Sequence, residues 1–387
     1  MRVRYLVLGF QRMLLWLSYT VHRVIARGAA GTISWVVGPD EVASMVSHMS
    51  VALPGSHSVS LTRNKYYDFA YDTTLEVSGG SVPFFRGRLF AGPWLLGKLA
   101  ARAHGFVYLG PTGYLRTGAD ERWHEFEFLK KRGLRLVCYF TGSDIRSPKL
   151  MLEMQERTGI ENIATYQVEV VPEFRRPEYE HTKQAMARAA DRFADVIFNA
   201  RTDQLSYLTR PTEPFLYFYP DDRFVAIGDK FERLDSIRIV HAPSSPIVKG
   251  TQVVRAAINR LRELGYTFDY VELDQTPNEV VLATLATAHI ALNEFYAFVP
   301  GMFGVEAMAS GCALLTSADE HLERDLPTGS NAAWMVTSSA QIFDNLRHLL
   351  DHPEEIRPLA ERGQAWARGN AAASKSAARF RSILAGI

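Results

Sequence analysis

The sequence has little cysteine, no long apolar run and almost no excess of charge, and each shortage closes a class of function. Its two cysteines among 387 residues, Cys138 and Cys312, sit in the apolar runs RLVCYF and GCALL, without the close spacing of a metal or redox pair. They predict buried thiols, no disulfide framework and a reducing compartment. With 43 basic and 42 acidic side chains the formal net charge is +1, so no global field draws the chain onto nucleic acid or repels an anionic ligand. Any binding charge must be local. The longest apolar stretch near the N-terminus, Met13 to Leu17, is interrupted upstream by Arg12 and falls far short of the roughly 18 residues a spanning helix needs. No metal is expected, because His104, His124 and His181 lack ligand spacing and no Asp-any-Asp pair is present. Repeats and low-complexity tracts are absent too.

What is present is ample apolar material, 47% of residues, for two cores of roughly 150 to 200 residues each. The N-terminal segment from Tyr5 to Arg27 projects as an amphipathic helix, with Gln11, Arg12, Tyr19, His22 and Arg23 on one side and Leu8, Leu14, Leu15, Leu17 and Ile25 over the remainder. Two readings stay open for it: in-plane attachment to an anionic membrane surface, or a helix packed on the protein. Short β-rich runs then alternate with helical segments. Strands are expected at 32–37, 57–61, 105–109, 134–140 and 195–198, with helices at 120–132 and 180–192 between them. The aromatic run FLYFY, 215–219, reads as a further strand near a hinge.

After a polar stretch a second series begins, with strands at 237–241, 268–273, 290–292, 313–316 and 333–336 and helices at 252–264, 278–286, 305–310 and 339–350. Strict alternation predicts parallel sheets covered by helices on both faces. The division is an N-terminal helix over 1–30, a Rossmann-like acceptor domain over 31–222, a Rossmann-like donor domain over 223–370 and a C-terminal helix over 371–387. Ligands of such sheets lie beyond the carboxyl ends of the strands, which directs attention to the loops 110–113 and 141–146.

Two segments of the second series carry candidate chemistry. In HAPSSPIVKGT, 241–251, a strand ends in turn residues and a helix follows Lys249 and Gly250, so a flexible ammonium and helix-start amides, with Ser244 nearby, suit a diphosphate. In NEFYAFVPGMFGVEAMASGCALLTS, 293–317, a loop with Gly301, Met302, Phe303, Gly304 and Val305 leads to Glu306 in an expected first helical turn. The glycines permit close backbone approach and the carboxylate can accept hydrogen bonds from two ribose hydroxyls. Gly113 in the loop LGPTG and Asp144 after the strand 134–140 face the expected cleft, Asp144 as an orienter of an acceptor hydroxyl or as a cap of its own loop, and Arg146 as a phosphate contact.

These two segments, with HAPS followed by KGT and then EAMA followed by G, resemble the donor domain of retaining GT-B glycosyltransferases of family four, the group 1 glycosyl transferases. FLKKRGLRLVCYFTGSDIRSP, 128–148, resembles their acceptor domain, so the likeness covers roughly 105–316. The resemblance implies two Rossmann-like domains facing across a cleft and sugar transfer from a nucleotide-sugar donor to a glycan, lipid-linked or other hydroxyl acceptor. It implies retention, no catalytic metal and no cofactor, with Lys249 on the donor diphosphate, Glu306 on the ribose and the loop 301–304 on the phosphate or sugar. The chain departs from the family pattern twice: the position of a family arginine is Ser244, and that of the first glutamate of a Glu-x7-Glu pair is Phe298, with Glu294 nearby. A nucleotide-sugar binder without turnover and a nucleotide-sugar epimerase are the competing readings. The expected location is cytoplasmic, at the inner face of the membrane if the N-terminal helix attaches there.

Overall fold

The computed structural model describes residues 2–26, 33–61, 69–75, 84–115, 122–232 and 234–386. Residues 27–30, Thr32 at the start of the first expected strand, and Asp120 and Glu121 at the start of an expected helix lie outside them. In chain order the first half runs α1 (Arg2–Ala26), β1 (Ile33–Pro39), α2 (Met45–Ala52), β2 (His57–Ser60), β3 (Thr73–Thr74), α3 (Phe84–Ala100), β4 (Ala103–Leu109), α4 (Trp123–Lys130), β5 (Arg135–Tyr139), α5 (Pro148–Thr158), α6 (Ile163–Val170), α7 (Pro177–Phe193) and β6 (Val196–Phe198). The second half runs β7 (Arg238–His241), α8 (Pro246–Lys249), α9 (Thr251–Glu263), β8 (Asp269–Glu272), α10 (Asn278–Leu285), β9 (Ile290–Leu292), α11 (Gly301–Ala309), β10 (Ala313–Thr316), β11 (Met335–Val336), α12 (Ile342–Asp351), α13 (Ile356–Asn370) and α14 (Ala373–Ala385).

The strands form two parallel sheets, ordered β3-β2-β1-β4-β5-β6 and β11-β10-β9-β7-β8. Val36, Val37, Phe106, Val107, Leu136 and Val137 are buried on both faces of the first sheet, as apolar runs in a helix-covered parallel sheet require. The chain leaves β1 toward β2 on one side and returns through β4 on the other, which places a topological switch between β1 and β4. In the second sheet the reversal falls between β7 and β9.

Three segments differ from expectation. The run 215–219 is not a strand of either sheet; it is a buried extended connection, with the Leu216 amide donating to the Tyr139 hydroxyl and Tyr219 bridging to Ala372. Aromatic preference for β structure is satisfied here by packing between the domains instead of by pairing. Second, α11 begins at Gly301, four residues before the expected start, so Glu306 lies in the second helical turn. Third, α13 over Ile356–Asn370 was not expected; α14 falls within the expected C-terminal helix and returns to the first sheet, where Phe380 stacks on Phe198 and meets Trp35 edge-on.

α1 packs on α3 through Leu8 and Leu15, which join the core cluster of Leu95, Leu96 and Leu99, and through polar and small residues between them. Pro93 inside α3 has no amide hydrogen to give the Leu89 carbonyl, and Gln11 Nε2 supplies a donor to it at 3.3 Å. Ser18 Oγ donates to the Trp94 carbonyl at 2.6 Å, and a Cβ on Gly97 would stand 2.7 Å from the Leu15 carbonyl oxygen. Glycine and proline in α3 thus create both the close approach and the free acceptor that draw Gln11 and Ser18 inward.

Candidate active site

Two adjoining cavities open where the carboxyl ends of both sheets face each other. The first, of about 370 Å³, is lined from the N-terminal side by Glu41, Val42 and Ala43 and from the C-terminal side by Ser244, Lys249, Gln275, Asn278, Met302, Phe303 and Glu306, among others. The second, of about 270 Å³, holds Thr141, Gly142, Ser143, Arg146, Tyr217, Glu294 and Gly301, and shares Lys249 and Met302 with the first.

His241 builds the lysine loop. It is fully buried, and burial lowers its pKa to about 4, so the ring is neutral. Its Nδ1 must donate to the Leu292 carbonyl at 2.8 Å, which leaves Nε2 to accept from Thr251 Oγ1 at 2.9 Å. One ring therefore ties β7 to β9 and to the first residue of α9. The single turn of α8 ends at Gly250, whose φ of 78° lets the chain start α9 at once and leaves Lys249 at the cavity wall. The ammonium is 2.7 Å from Glu294 Oε2. Glu294 is thus the acid that reaches the lysine, while Phe298 at the family position is buried against Met151, Met154 and Ala164. Ser244 is exposed on the rim.

Glu306 is 4% exposed and accepts from Asn278 Nδ2 at 2.8 Å. Desolvation raises its pKa to about 7, opposed by that hydrogen bond and by Arg223 and Lys249. Its place in the second turn removes the reading of a carboxylate that merely favours a helix start. The loop 274–278 contributes Gln275, Thr276 and Asn278 to the same cavity.

Several expected residues sit elsewhere. Gly113 lines neither cavity: a Cβ there would meet Glu125 Oε1 at 2.0 Å, and that buried carboxylate accepts the Tyr114 and Leu115 amides. Gly304 and Val305 also lie outside both linings; the close approach at Gly304 is to Pro300 and Asn293, and Val305 is core. Gly250 packs on Phe295 and Tyr296. Asp144 caps its own loop, accepting the Thr141, Gly142 and Ile145 amides at 2.9 to 3.1 Å, and is absent from the cleft lining. Arg146 does reach the cleft, with its charge paired to Asp203 at 2.5 Å.

Asp203 spans the domains, since its second oxygen accepts the Phe298 amide at 2.8 Å, and Glu323 accepts the Thr202 and Asp203 amides from the other side. The loop 40–44 was missed in the sequence. The turn Gly38–Pro39 marked its strand end, but its value comes from the switch point, which only strand order reveals. Ala43 and Ser44 hold φ of 50° and 65°, a left-handed backbone seldom kept by residues other than glycine.

Comparison with known proteins agrees with this architecture. Residues 251–384 match the family described as glycosyl transferase-like. The fold is similar to a crystal structure of WaaG, a glycosyltransferase involved in lipopolysaccharide biosynthesis, at 14% identity over 92% of this chain and 100% of that one, with a TM-score of 0.54. It is similar to the catalytic domain of starch synthase IV from Arabidopsis thaliana, bound to ADP and acarbose, at 13% identity over 92% and 99% of the two chains, with a TM-score of 0.56. A third likeness, at 11% identity, 91% and 99% coverage and a TM-score of 0.51, is to an alpha-glucosyltransferase in complex with UDP and DNA. No curated protein sequence matches. The architecture is GT-B, two Rossmann-like domains across a cleft. Within that fold the glycosyl transferase-like match falls on the C-terminal part of the chain.

Proposed function

We propose that the protein transfers a sugar from a nucleotide-sugar donor held in the larger cavity to a hydroxyl of a glycan or lipid-linked acceptor entering the smaller one, with retention and without a metal. The observation that carries this is the meeting of Lys249 and Glu306 on one cavity wall. The ammonium suits a diphosphate, and the buried carboxylate, which has one protein hydrogen bond among the described residues, suits a pair of ribose hydroxyls. Ser244, Met302 and Phe303 complete the donor side, and Gly301 lines the smaller cavity. Arg146 and Lys249 supply the cationic contacts for the leaving group that position 244 lacks. Asp144 acts by shaping the acceptor loop. Neither lining contains a histidine among the described residues, which favours transfer over the acid–base chemistry of an epimerase.

The buried Phe298 at a family glutamate position motivates a second reading, a binder without turnover. Calorimetry with UDP, GDP, ADP and their sugar conjugates, followed by acceptor screening with anomeric analysis of products, separates the two. One nucleotide binding wild type and not Glu306→Ala, with an axial or equatorial linkage preserved in the product, supports the transferase; binding with neither transfer nor hydrolysis supports the binder; no binding by any nucleotide refutes both.

A further inference from the structure

α1 buries one narrow stripe, Leu8, Gln11, Leu15 and Ser18, and leaves a second apolar row outside, with Leu6, Met13, Trp16 and Val24 at 74%, 56%, 57% and 63% exposed. Leu6, Met13, Leu17 and Val24, spaced at seven, four and seven residues, form one outward row. α3 widens the row through Phe90, half exposed and edge-on to Phe10, and through Trp94 beside His22. Contiguous exposed apolar surface of this kind marks an interaction face, and single exposed apolar residues do not.

Charge selects the occupant. Neither α1 nor α3 contains an aspartate or glutamate, whereas Arg12, Arg23 and Lys98 stand on them, in a chain whose net charge is +1. Glu127 of α4, an acid within electrostatic reach of Arg12, is paired with Lys131 at 2.8 Å. A symmetric second copy would set this basic face against itself, at a cost in like charge. No helix among the described residues is long and apolar enough to cross a membrane. We propose that the outer face of α1 and α3 lies in the plane of an anionic lipid bilayer, with the apolar row and Trp16 at the acyl boundary and the basic residues among the headgroups.

The contacts orient the molecule on that surface. Gln11 meets Leu89, Ser18 meets Trp94 and Arg23 meets Ala101, so α1 runs parallel to α3. α3 ends where β4 begins, so the N-terminal end of both helices points to the carboxyl edge of the first sheet. That edge bears the cleft. The docking rests on the α1–α3 surface and stands or falls independently of the donor chemistry.

The test is co-sedimentation of the full chain with phosphatidylcholine vesicles and with mixed phosphatidylcholine–phosphatidylglycerol vesicles. Wild type is expected to pellet with the mixed vesicles, less so at high salt, and Met13→Glu/Leu17→Glu to lose about tenfold or more in partitioning with an unchanged melting curve, because both side chains project away from the core. Arg12→Gln/Lys98→Gln is expected to weaken binding to the mixed vesicles and flatten its salt dependence. Wild type left in the supernatant, equal pelleting of Met13→Glu/Leu17→Glu, or a wild-type dimer that this variant dissolves would each overturn the proposal, the last by making a second copy the occupant.

Discussion

Replacing Glu306 by glutamine separates what the buried carboxylate costs the fold from what it gives the ligand. In the folded protein burial raises this group's pKa to about 7, against an unfolded value of 4.5. A raised carboxyl pKa means the native state holds a proton that the unfolded state has released across that window. Stability from this group is full below the unfolded value, falls as pH rises toward 7 and levels off above it. A shift of this size corresponds to about 3 kcal/mol at most. Glu306→Gln keeps the shape and an acceptor for Asn278 Nδ2 but cannot ionise, so it should equal wild type in stability near pH 4 and exceed it by up to about 3 kcal/mol at pH 8, measured by urea unfolding.

Nucleotide binding should move the other way. A carboxylate that accepts from two ribose hydroxyls must be ionised, so binding pulls its pKa down and expels the proton. With a free-state value near 7, about half a proton should leave per nucleotide bound at pH 7, read as a dependence of calorimetric enthalpy on buffer ionisation. In Glu306→Gln that release should vanish together with most of the affinity. Buffer-independent enthalpy in wild type, or a glutamine variant no more stable at pH 8 than at pH 4 relative to wild type, would refute the reasoning.

Lys249→Met should weaken nucleoside diphosphate binding by about tenfold to a hundredfold, the scale of one charge-assisted hydrogen bond, and leave nucleoside binding almost unchanged. It should also lower the melting temperature by stranding Glu294, which is 7% exposed, and Lys249→Met/Glu294→Gln should recover much of that loss. Asp144→Ala removes the acceptor of three loop amides and should reduce acceptor turnover through loop disorder while donor affinity holds; an equal loss of nucleotide affinity in calorimetry would contradict its placement outside the donor cavity.

Periodicity exposed the alternation of strands and helices because apolar runs in a buried parallel sheet need no long-range information. The strands 237–241 and 290–292 coincide with β7 and β9 to within a residue at each end. Lys249 and Glu306 were legible from motif chemistry, since a strand-to-helix turn bearing a lysine and a small-residue helix start are local patterns. What stayed hidden depends on distant partners. Asp144 looked like a cleft carboxylate until its own loop amides were seen to occupy it, and Gly113 looked ligand-facing because the buried Glu125, on the neighbouring helix α4, cannot be placed from sequence. For α1 the projection left both membrane attachment and packing on the protein open; that Gln11 and Ser18 turn inward beside Leu8 and Leu15 depends on Pro93 and Gly97 of another helix, which a projection of α1 does not contain.

The two departures from the family pattern acquire a physical sense once the cleft is assembled. Position 298 cannot host a glutamate cheaply, because its side chain is enclosed by Met151, Met154 and Ala164 of the α5–α6 layer, and a carboxylate there would be buried without a partner. Glu294 is the acid of this loop that reaches the lysine, at 2.7 Å. Arg146 is likewise matched by Asp203, so each cation facing the cleft is neutralised in the free protein. On the proposed reading a donor diphosphate competes with Glu294 for Lys249, whereas Arg146 stays fixed, because Asp203 is also held by the Phe298 amide across the domain boundary. Only the lysine side of the pair is 20% exposed and free to turn; the arginine is 6% exposed and held at two points. The cleft therefore has one mobile and one preorganised cation, and the mobile one stands where the two cavities meet.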